Sequence, residues 1–417
     1  RMHGKAWIAD GRLAVVGGEV DGAPVSRLEQ LGRAWRGEGV SLYASNLFNS
    51  LLLAACSTLL CLLISIPLAL IAENFDFRGK RIWQMLILAP LILPPFVGAI
   101  GLKGMLSRNG GINALLMEWG IIDPANPIDL LASPFWACVV LEALGLYPIL
   151  FLNVQAALAN IDPALHEAAR NLGCGPWRRF WRVTLPLMRP GVFAGSTLVF
   201  IWVFTEIGTP LMVGLREVTA VQVFDMLQTR SPGGDAYALV VILLVMSVGL
   251  YAVGKLLLGR AGAAMMPKAT MAAQPTRLGF GGGLLASLPF ALVFGVAVLP
   301  HTGVLLYSVS GTGMIEFSPS QMTLEHHAWV FQYGVGGGAG SLAAQSIVNS
   351  LRYSVMAVAL DVVLGFAIAY LVVRRRSWLT SVLDALAMLP LAVPGLVFAF
   401  GLFALTQGDT WLSFLDP

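Results

Sequence analysis

Long apolar runs, not alternation, dominate the chain, and the polar positions gather in the short segments between them. A bilayer core about 30 Å thick takes roughly 20 apolar residues of helix. Eight runs have that reach, near residues 48–72, 82–105, 135–158, 192–213, 238–258, 284–309, 347–373 and 382–405. Residues 1–45 are the least membrane-like. Gly-rich turns at Asp10-Gly11 and Asp21-Gly22 predict a small hairpin there, followed by a helix over residues 28–35.

One interruption stands apart, the basic and aromatic island of residues 160–190. It is too polar to cross a bilayer. Asp162 is a natural N-cap and Pro163 suits the first helical position, so a short helix is predicted through Glu167, Ala168 and Ala169. Gly173 is its expected stop, in the left-handed conformation. Gly175-Pro176 restarts the chain, and Trp177, Phe180 and Trp181 share one helical face with Arg178, Arg179 and Arg182 between them. Leu185-Pro186 is expected to end this second helix. The product is a helix-turn-helix lying on the membrane surface, with guanidinium groups toward water.

The chain also repeats itself. At a constant offset of 300, Ser41-Leu42, Asn49-Ser50-Leu51, Pro90, Pro94 and Gly101-Leu102 meet Ser341-Leu342, Asn349-Ser350-Leu351, Pro390, Pro394 and Gly401-Leu402 without a gap. The same basic loop lies between the paired spans, so the copies are tandem parallel repeats rather than inverted ones. The reading that follows has residues 1–45 as an outer segment and residues 46–260 as a first repeat lacking its first helix. Residues 261–280 are then a cytoplasmic linker, and residues 281–417 a second repeat that stops before its own island. The chain opens at Arg1 rather than Met, and a parent of about twelve helices in two six-helix halves is expected, five of the first half and three of the second lying here.

Composition agrees with the pattern. With 57% hydrophobic and 12% charged residues and a mean hydropathy of +0.76, the class is an all-α polytopic membrane protein. The net charge of +3 is modest and its basic residues sit in short loops, which argues against nucleic acid as a partner. Cys56, Cys61, Cys138 and Cys174 form no CxxC pair and read as reduced packing residues. Cytoplasmic loops retain Lys and Arg. Arg78-Lys80-Arg81, the island, the loop of Arg260, Lys268 and Arg277, and Arg374-Arg375-Arg376 are therefore placed inside. Residues 1–45 dissent with six basic residues, but five acids nearly cancel them.

The island carries a specific resemblance. Glu167-Ala168-Ala169, three residues, Gly173, nine residues, Val183, one residue, then Leu185-Pro186 resembles the EAA loop of ABC importer permeases, with only its Ile changed to Val. The resemblance extends over the chain to the fused-dimer type I permeases of ferric iron importers. It rests on Leu93-Pro94-Pro95-Phe96-Val97-Gly98-Ala99, Tyr147-Pro148, Thr205-Glu206-Ile207-Gly208-Thr209-Pro210 and Val221-Gln222-Val223-Phe224. The family more often has Asp-Phe where Glu206-Ile207 stands. The resemblance implies the ABC type I importer permease fold and a multi-pass place in the bacterial inner membrane. It also implies that Glu167, Ala168, Ala169, Gly173, Val183, Leu185 and Pro186 couple the chain to two copies of a cytoplasmic ATP-binding subunit. A periplasmic solute-binding protein would deliver the solute, ferric iron being favoured, with 2-aminoethylphosphonate, thiamine or polyamines as alternatives.

The remaining chemistry is sparse. Pro94-Pro95, matched by Pro394, breaks a helix inside the hydrocarbon and frees carbonyls, which suits a gate or pathway as well as a packing kink. Glu206, Glu142 and Asp361 lie in or near spans, where a charge costs about 2.5–3.5 kcal/mol or more, so each is expected to face the bundle interior or water. Of these, Glu206 is the candidate for lining the pathway. His326-His327 beside Glu325 lacks a third metal ligand. The run from Gly249 to Lys255 mimics a phosphate-binding loop, but Leu256 stands where Ser or Thr should hold Mg2+. ATP and Mg are therefore expected on the partner subunit, with no cofactor and no catalytic residue in this chain. A gradient-driven secondary transporter is the alternative from another class.

Overall fold

A computed structural model describes residues 6–9, 12–15, 40–92, 94–129, 131–227, 234–262, 275–311, 342–375, 377–392 and 395–406, together with 315, 317, 320 and 322–330. Strands β1 (Ala6–Ala9) and β2 (Arg12–Val15) form the expected hairpin, antiparallel with Ala6 opposite Val15. The helix expected over residues 28–35, and Pro394, lie outside the described residues.

The core is a bundle built on α1 (Val40–Asn74), α5 (Pro134–Ala159) and α8 (Leu185–Thr205). Its apolar side chains, among them Leu53, Leu68, Tyr147, Leu150, Phe151, Val199 and Phe204, are almost fully enclosed. Polar links hold α1 to α5. Ser65 Oγ donates to the Tyr147 carbonyl at 2.8 Å and Cys61 Sγ to that of Ala143 at 3.5 Å, on either side of the turn that Pro148 interrupts. Helix α8 meets α5 through small residues. A Cβ on Gly195 would lie 3.1 Å from Asn153 Cβ, and one on Gly191 would collide with Ala157. Such close backbone approach is how helices pack without a hydrophobic difference between protein and lipid.

The span expected over residues 82–105 is broken at Pro94-Pro95, where the prolines were expected to break it. Short α2 (Lys80–Leu86) and a 3-10 turn (Ala89–Ile92) are followed by α3 (Pro95–Leu106), and the stretch Lys80–Ile92 is bent by 94° from the stretch Pro95–Glu118. Pro94 and Pro95 are the cause, since neither donates a backbone hydrogen bond. Beyond α3, α4 (Gly111–Glu118) packs against it. The expected span over residues 192–213 also needs correction: α8 begins earlier, at Leu185, and stops at Thr205. After the break comes α9 (Gly208–Val213) and then α10 (Thr219–Leu227), which precedes α11 (Gly234–Gly262). The run from Gly249 to Leu256 lies inside α11.

In the second repeat, α12 (Phe280–Val309) packs on α3, with Gly98 and Gly101 against Pro300 and Gly303. Short α13 (Glu325–Trp329) follows, and His326 Nε2 lies 3.1 Å from the Ser310 carbonyl. Helices α14 (Leu342–Arg374), α15 (Trp378–Ala392) and α16 (Gly395–Thr406) reproduce the first copy's order. Shifted by 300, the bounds of α3 coincide with those of α16. Their surroundings differ, because 39% of the apolar window of α1 is buried and 0% of that of α14. Asp361 accordingly lies on an exposed face of α14 rather than in a bundle interior, the other of its two expected settings being water. Its counterpart in α1 is the buried Cys61. Among the described residues, five helices are long and apolar enough to cross a membrane, six if the bent pair counts as one span.

Two of the basic loops meet at one end of the bundle, beside the end of α5 that leads into the third. Strand β3 (Phe75–Asp76) pairs in parallel with β4 (Thr276–Arg277), and Leu278 N–H donates to the Asp76 carbonyl at 2.9 Å. Lys80 and Arg81 share a cleft there with Gln155, near the end of α5 that leads into the island. At the opposite end, α10 is clamped to α1. Asn46 Nδ2 donates to Gln222 Oε1 at 2.8 Å, Asn49 Nδ2 to the Glu217 carbonyl at 3.0 Å, and the Thr219 amide to Ser50 Oγ at 2.8 Å.

Candidate functional site

Two sites emerge, one at each end of α8. At the basic end lies the helix-turn-helix of residues 160–190. Helix α6 (Pro163–Asn171) starts as its sequence dictates, with Asp162 Oδ1 accepting from the Ala164 amide at 2.9 Å and Pro163 at the first position. It ends on Gly173 at φ +73°, where the Cys174 amide donates to the Ala169 carbonyl and that of Gly173 to Arg170. This double closure needs a residue at ease in the left-handed region. Glu167 and Ala168 are exposed and Ala169 is half-buried; none of the residues of α6 is fully enclosed. His166 is half-buried, and burial first, then the Arg179 guanidinium, push its imidazole below the ordinary value of 6.5.

Helix α7 (Pro176–Arg179) follows, with Gly175 as N-cap. Trp177, Phe180 and Trp181 form one ring cluster with centroids 5.3–6.2 Å apart, yet Trp177 is 74% exposed and Leu172 88%. Exposed aromatic and apolar side chains bordered by Arg170, Arg178 and Arg182 are what a docking surface offers. The second helix does not stop at Leu185-Pro186, contrary to expectation. A π turn over Phe180–Thr184 carries the chain straight into α8, so that Pro176–Thr205 is one helical stretch of 30 residues. Widening by one residue per turn accommodates the ring and missing donor of Pro186, which in a regular helix would oppose the carbonyl of Arg182. Val183 in that turn and Leu185 and Pro186 after it are half-buried, and Thr184 is buried. The geometry therefore makes the island the rigid foot of a transmembrane helix.

The other end of α8 is a joint. Glu206 leaves the helix in an extended conformation, ψ 136°, and its Oε1 accepts from the Gly208 amide at 3.0 Å. Helix α9 then wedges between α3 and α5. A Cβ on Gly208 would lie 2.8 Å from Phe96 Cβ, and one on Gly145 of α5 would lie 3.6 Å from Pro95 Cγ. Pro94, the N-cap of α3, Pro95 and Glu206 are thus brought together, although more than a hundred positions separate them in sequence. Glu142 faces the bundle interior as expected, but sequence reasoning missed Thr209, which completes the joint beside it. Glu142 and Thr209 are both 0% exposed at the contact of α5 with α9. It also missed the Asn46, Asn49 and Ser50 clamp, whose signal was the Asn-Ser pair recurring at Asn349-Ser350.

Compared with known proteins, residues 65–262, which include both sites, match the family described as binding-protein-dependent transport system inner membrane component. The ferric transport system permease protein FbpB of Actinobacillus pleuropneumoniae is 27% identical over 353 residues, covering 84% of this chain and 50% of that protein. The chain thus spans about half the length of that relative. The molybdenum transport system permease protein ModB of Mycobacterium bovis is 34% identical over 203 residues, covering 48% of this chain and 74% of that protein. Among solved structures, the MetNI methionine ABC transporter in an inward-facing conformation is similar with a TM-score of 0.40 and 15% identity, covering 54% of this chain and 98% of that one. The chain belongs to the binding-protein-dependent transport system inner membrane components, the multi-pass inner-membrane permeases of ABC importers.

Proposed function

We propose that the whole protein imports ferric iron, received from a periplasmic solute-binding protein and driven by two copies of a cytoplasmic ATP-binding subunit. In this reading residues 160–190 are the ATPase-coupling loop of the first repeat, and Glu167, Ala168, Ala169 and Gly173 present its dock. Val183, Leu185 and Pro186 transmit the movement. The observation that carries the reading is the continuous helix from the aromatic foot through the π turn to Thr205. A push on Trp177, Phe180 and Trp181 has no loop in which to dissipate and reaches Glu206 and the Pro94-Pro95 break, the proposed gate, while one on Glu167 first crosses the tight turn at Gly173 to Gly175. ATP and Mg bind the partner subunit, and this chain contributes no catalytic group.

Iron is favoured because the likeness to the ferric permease runs over most of the chain. The likeness to the molybdenum permease covers a shorter part, and it sets molybdate as the competing cargo. The test is ATP hydrolysis by the full-length protein, co-purified with its ATPase and reconstituted in liposomes, with binding protein loaded with Fe3+ or with molybdate. Stimulation by the Fe3+-loaded form alone is expected. Stimulation by the molybdate-loaded form alone overturns the iron reading, and no associated ATPase overturns the coupling reading.

A further inference from the structure

The joint holds two carboxyls in unlike surroundings. Glu206 is half-buried and collects N–H donors: the Gly208 amide at 3.0 Å, with the Thr209 amide and the Trp202 indole also in reach. Glu142 has none. It is 0% exposed in the middle of α5, and neither of its oxygens has a hydrogen-bond partner. The Thr209 hydroxyl faces it within interaction reach, itself wholly buried and outside regular hydrogen-bond geometry. The charged group that acts on Glu142 is another acid, Glu206. From α1 and from its own helix it is approached by the thiols of Cys61 and Cys138, neither of them a cation. Of the other titratable groups, α3 carries Lys103, which is exposed, and α12 carries His301, which is half-buried.

An ionised carboxylate so enclosed is cut off from bulk solvent and faces no counter-charge among the described residues, and a second negative charge nearby opposes it further. Two titratable groups whose surroundings differ in this way divide the states between them: the anion belongs where the N–H donors are and the neutral acid where they are absent. We infer that Glu142, Thr209 and Glu206 form a proton-binding site inside the membrane, in which Glu142 is a neutral carboxylic acid that fastens α9 to α5. The proton comes from water when the joint opens: an O–H bond forms on the Glu142 carboxyl as hydronium gives up its own. A small side-chain rotation then lets that O–H donate to Thr209 Oγ1 while the acid's carbonyl oxygen remains an acceptor. Glu142 is a positioning residue in this scheme. It decides whether the break after Thr205 stays closed when α8 is moved from its foot.

The inference rests on the reading of α8 as a lever, so its first test is independent of cargo. Infrared difference spectroscopy on the full-length protein with its ATPase in proteoliposomes reads the carbonyl stretch of protonated carboxylic acids. That band is expected at neutral pH in the wild type, lost in alkaline solution, and absent from Glu142→Gln. The second readout is uptake per ATP hydrolysed, with Fe3+-loaded binding protein. The wild-type ratio is expected to fall as the solution is made alkaline, whereas Glu142→Gln, which has no proton to lose, gives a flat profile. Glu142→Leu, which loses the polar contact to Thr209, is expected to lower the ratio up to about tenfold at every pH, the weight of one buried hydrogen bond. A wild type without the band, a band that persists in Glu142→Gln, or an alkaline fall shared by wild type and Glu142→Gln overturns the proposal. Should the leucine variant fail to fold, the spectrum and the glutamine profile still decide.

Discussion

The two ends of α8 are built on opposite principles. The foot, residues 160–190, is held by local means: an Asp cap, a glycine closure and a ring cluster, with Leu172 and Trp177 left largely exposed. The joint is held by distant parts of the chain, with Glu142, Thr209, Gly208 and Phe96 meeting from three helices. One leaves apolar side chains exposed, the other is a contact completed within the chain. A helix that links them passes a partner's movement into the membrane only if the foot is stiff by itself and the joint is poised rather than loose.

The largest effect should come from wedging the helices that carry the joint. Gly191→Leu places a side chain where even a Cβ meets Ala157 and the Asn153 carbonyl. Overpacking of this kind costs about 1–3 kcal/mol or more, and a lowered melting temperature and yield of the purified complex should register it. Glu167→Lys comes next. It inverts an exposed charge at the dock without touching the core, so insertion and melting should match the wild type while uptake falls and ATP hydrolysis no longer follows it. Asp162→Ala is intermediate, because loss of an N-cap costs about 1 kcal/mol. Uptake should drop several-fold and recover with Asp162→Ser or Asn. The smallest is a pH effect. His166 is held below its ordinary value of 6.5, so the stabilisation of the foot by its neutral form is complete above that value and is lost as pH falls below it. Coupling should weaken modestly on acidification, and His166→Gln should remove that dependence.

The same contrast explains what could be read from the sequence. The foot was legible because caps, stops and aromatic spacing are signals between near neighbours: Asp162, Pro163, Gly173 and Gly175-Pro176 stand where their chemistry predicts. The break at Pro94-Pro95 was legible for the same reason. Leu185-Pro186 misled, since a proline there reads as an end until the π turn before it is known. In the joint, Glu206 and Glu142 were visible as charges out of place, but Thr209 and the way they meet were not. The meeting of Glu206 with Pro95, Thr209 and Glu142 depends on how α3, α5 and α9 cross, which no local pattern encodes. Asp361 shows the converse. A charge in a span was expected to face the interior or water, and Asp361 is exposed on α14 while its counterpart Cys61 is enclosed between α1 and α5.

The central claim is that the exposed foot, and not the opposite end, receives the ATPase. Cysteine cross-linking tests it most directly, in the full-length protein co-expressed with its ATPase and with Cys174 first replaced by Ser. Ala168→Cys, exposed on α6, should form an adduct with the ATPase subunit under a short bifunctional reagent, whereas Ile121→Cys, 64% exposed beyond α4, should form none. No adduct at position 168, or equal adducts at both positions, would contradict the account.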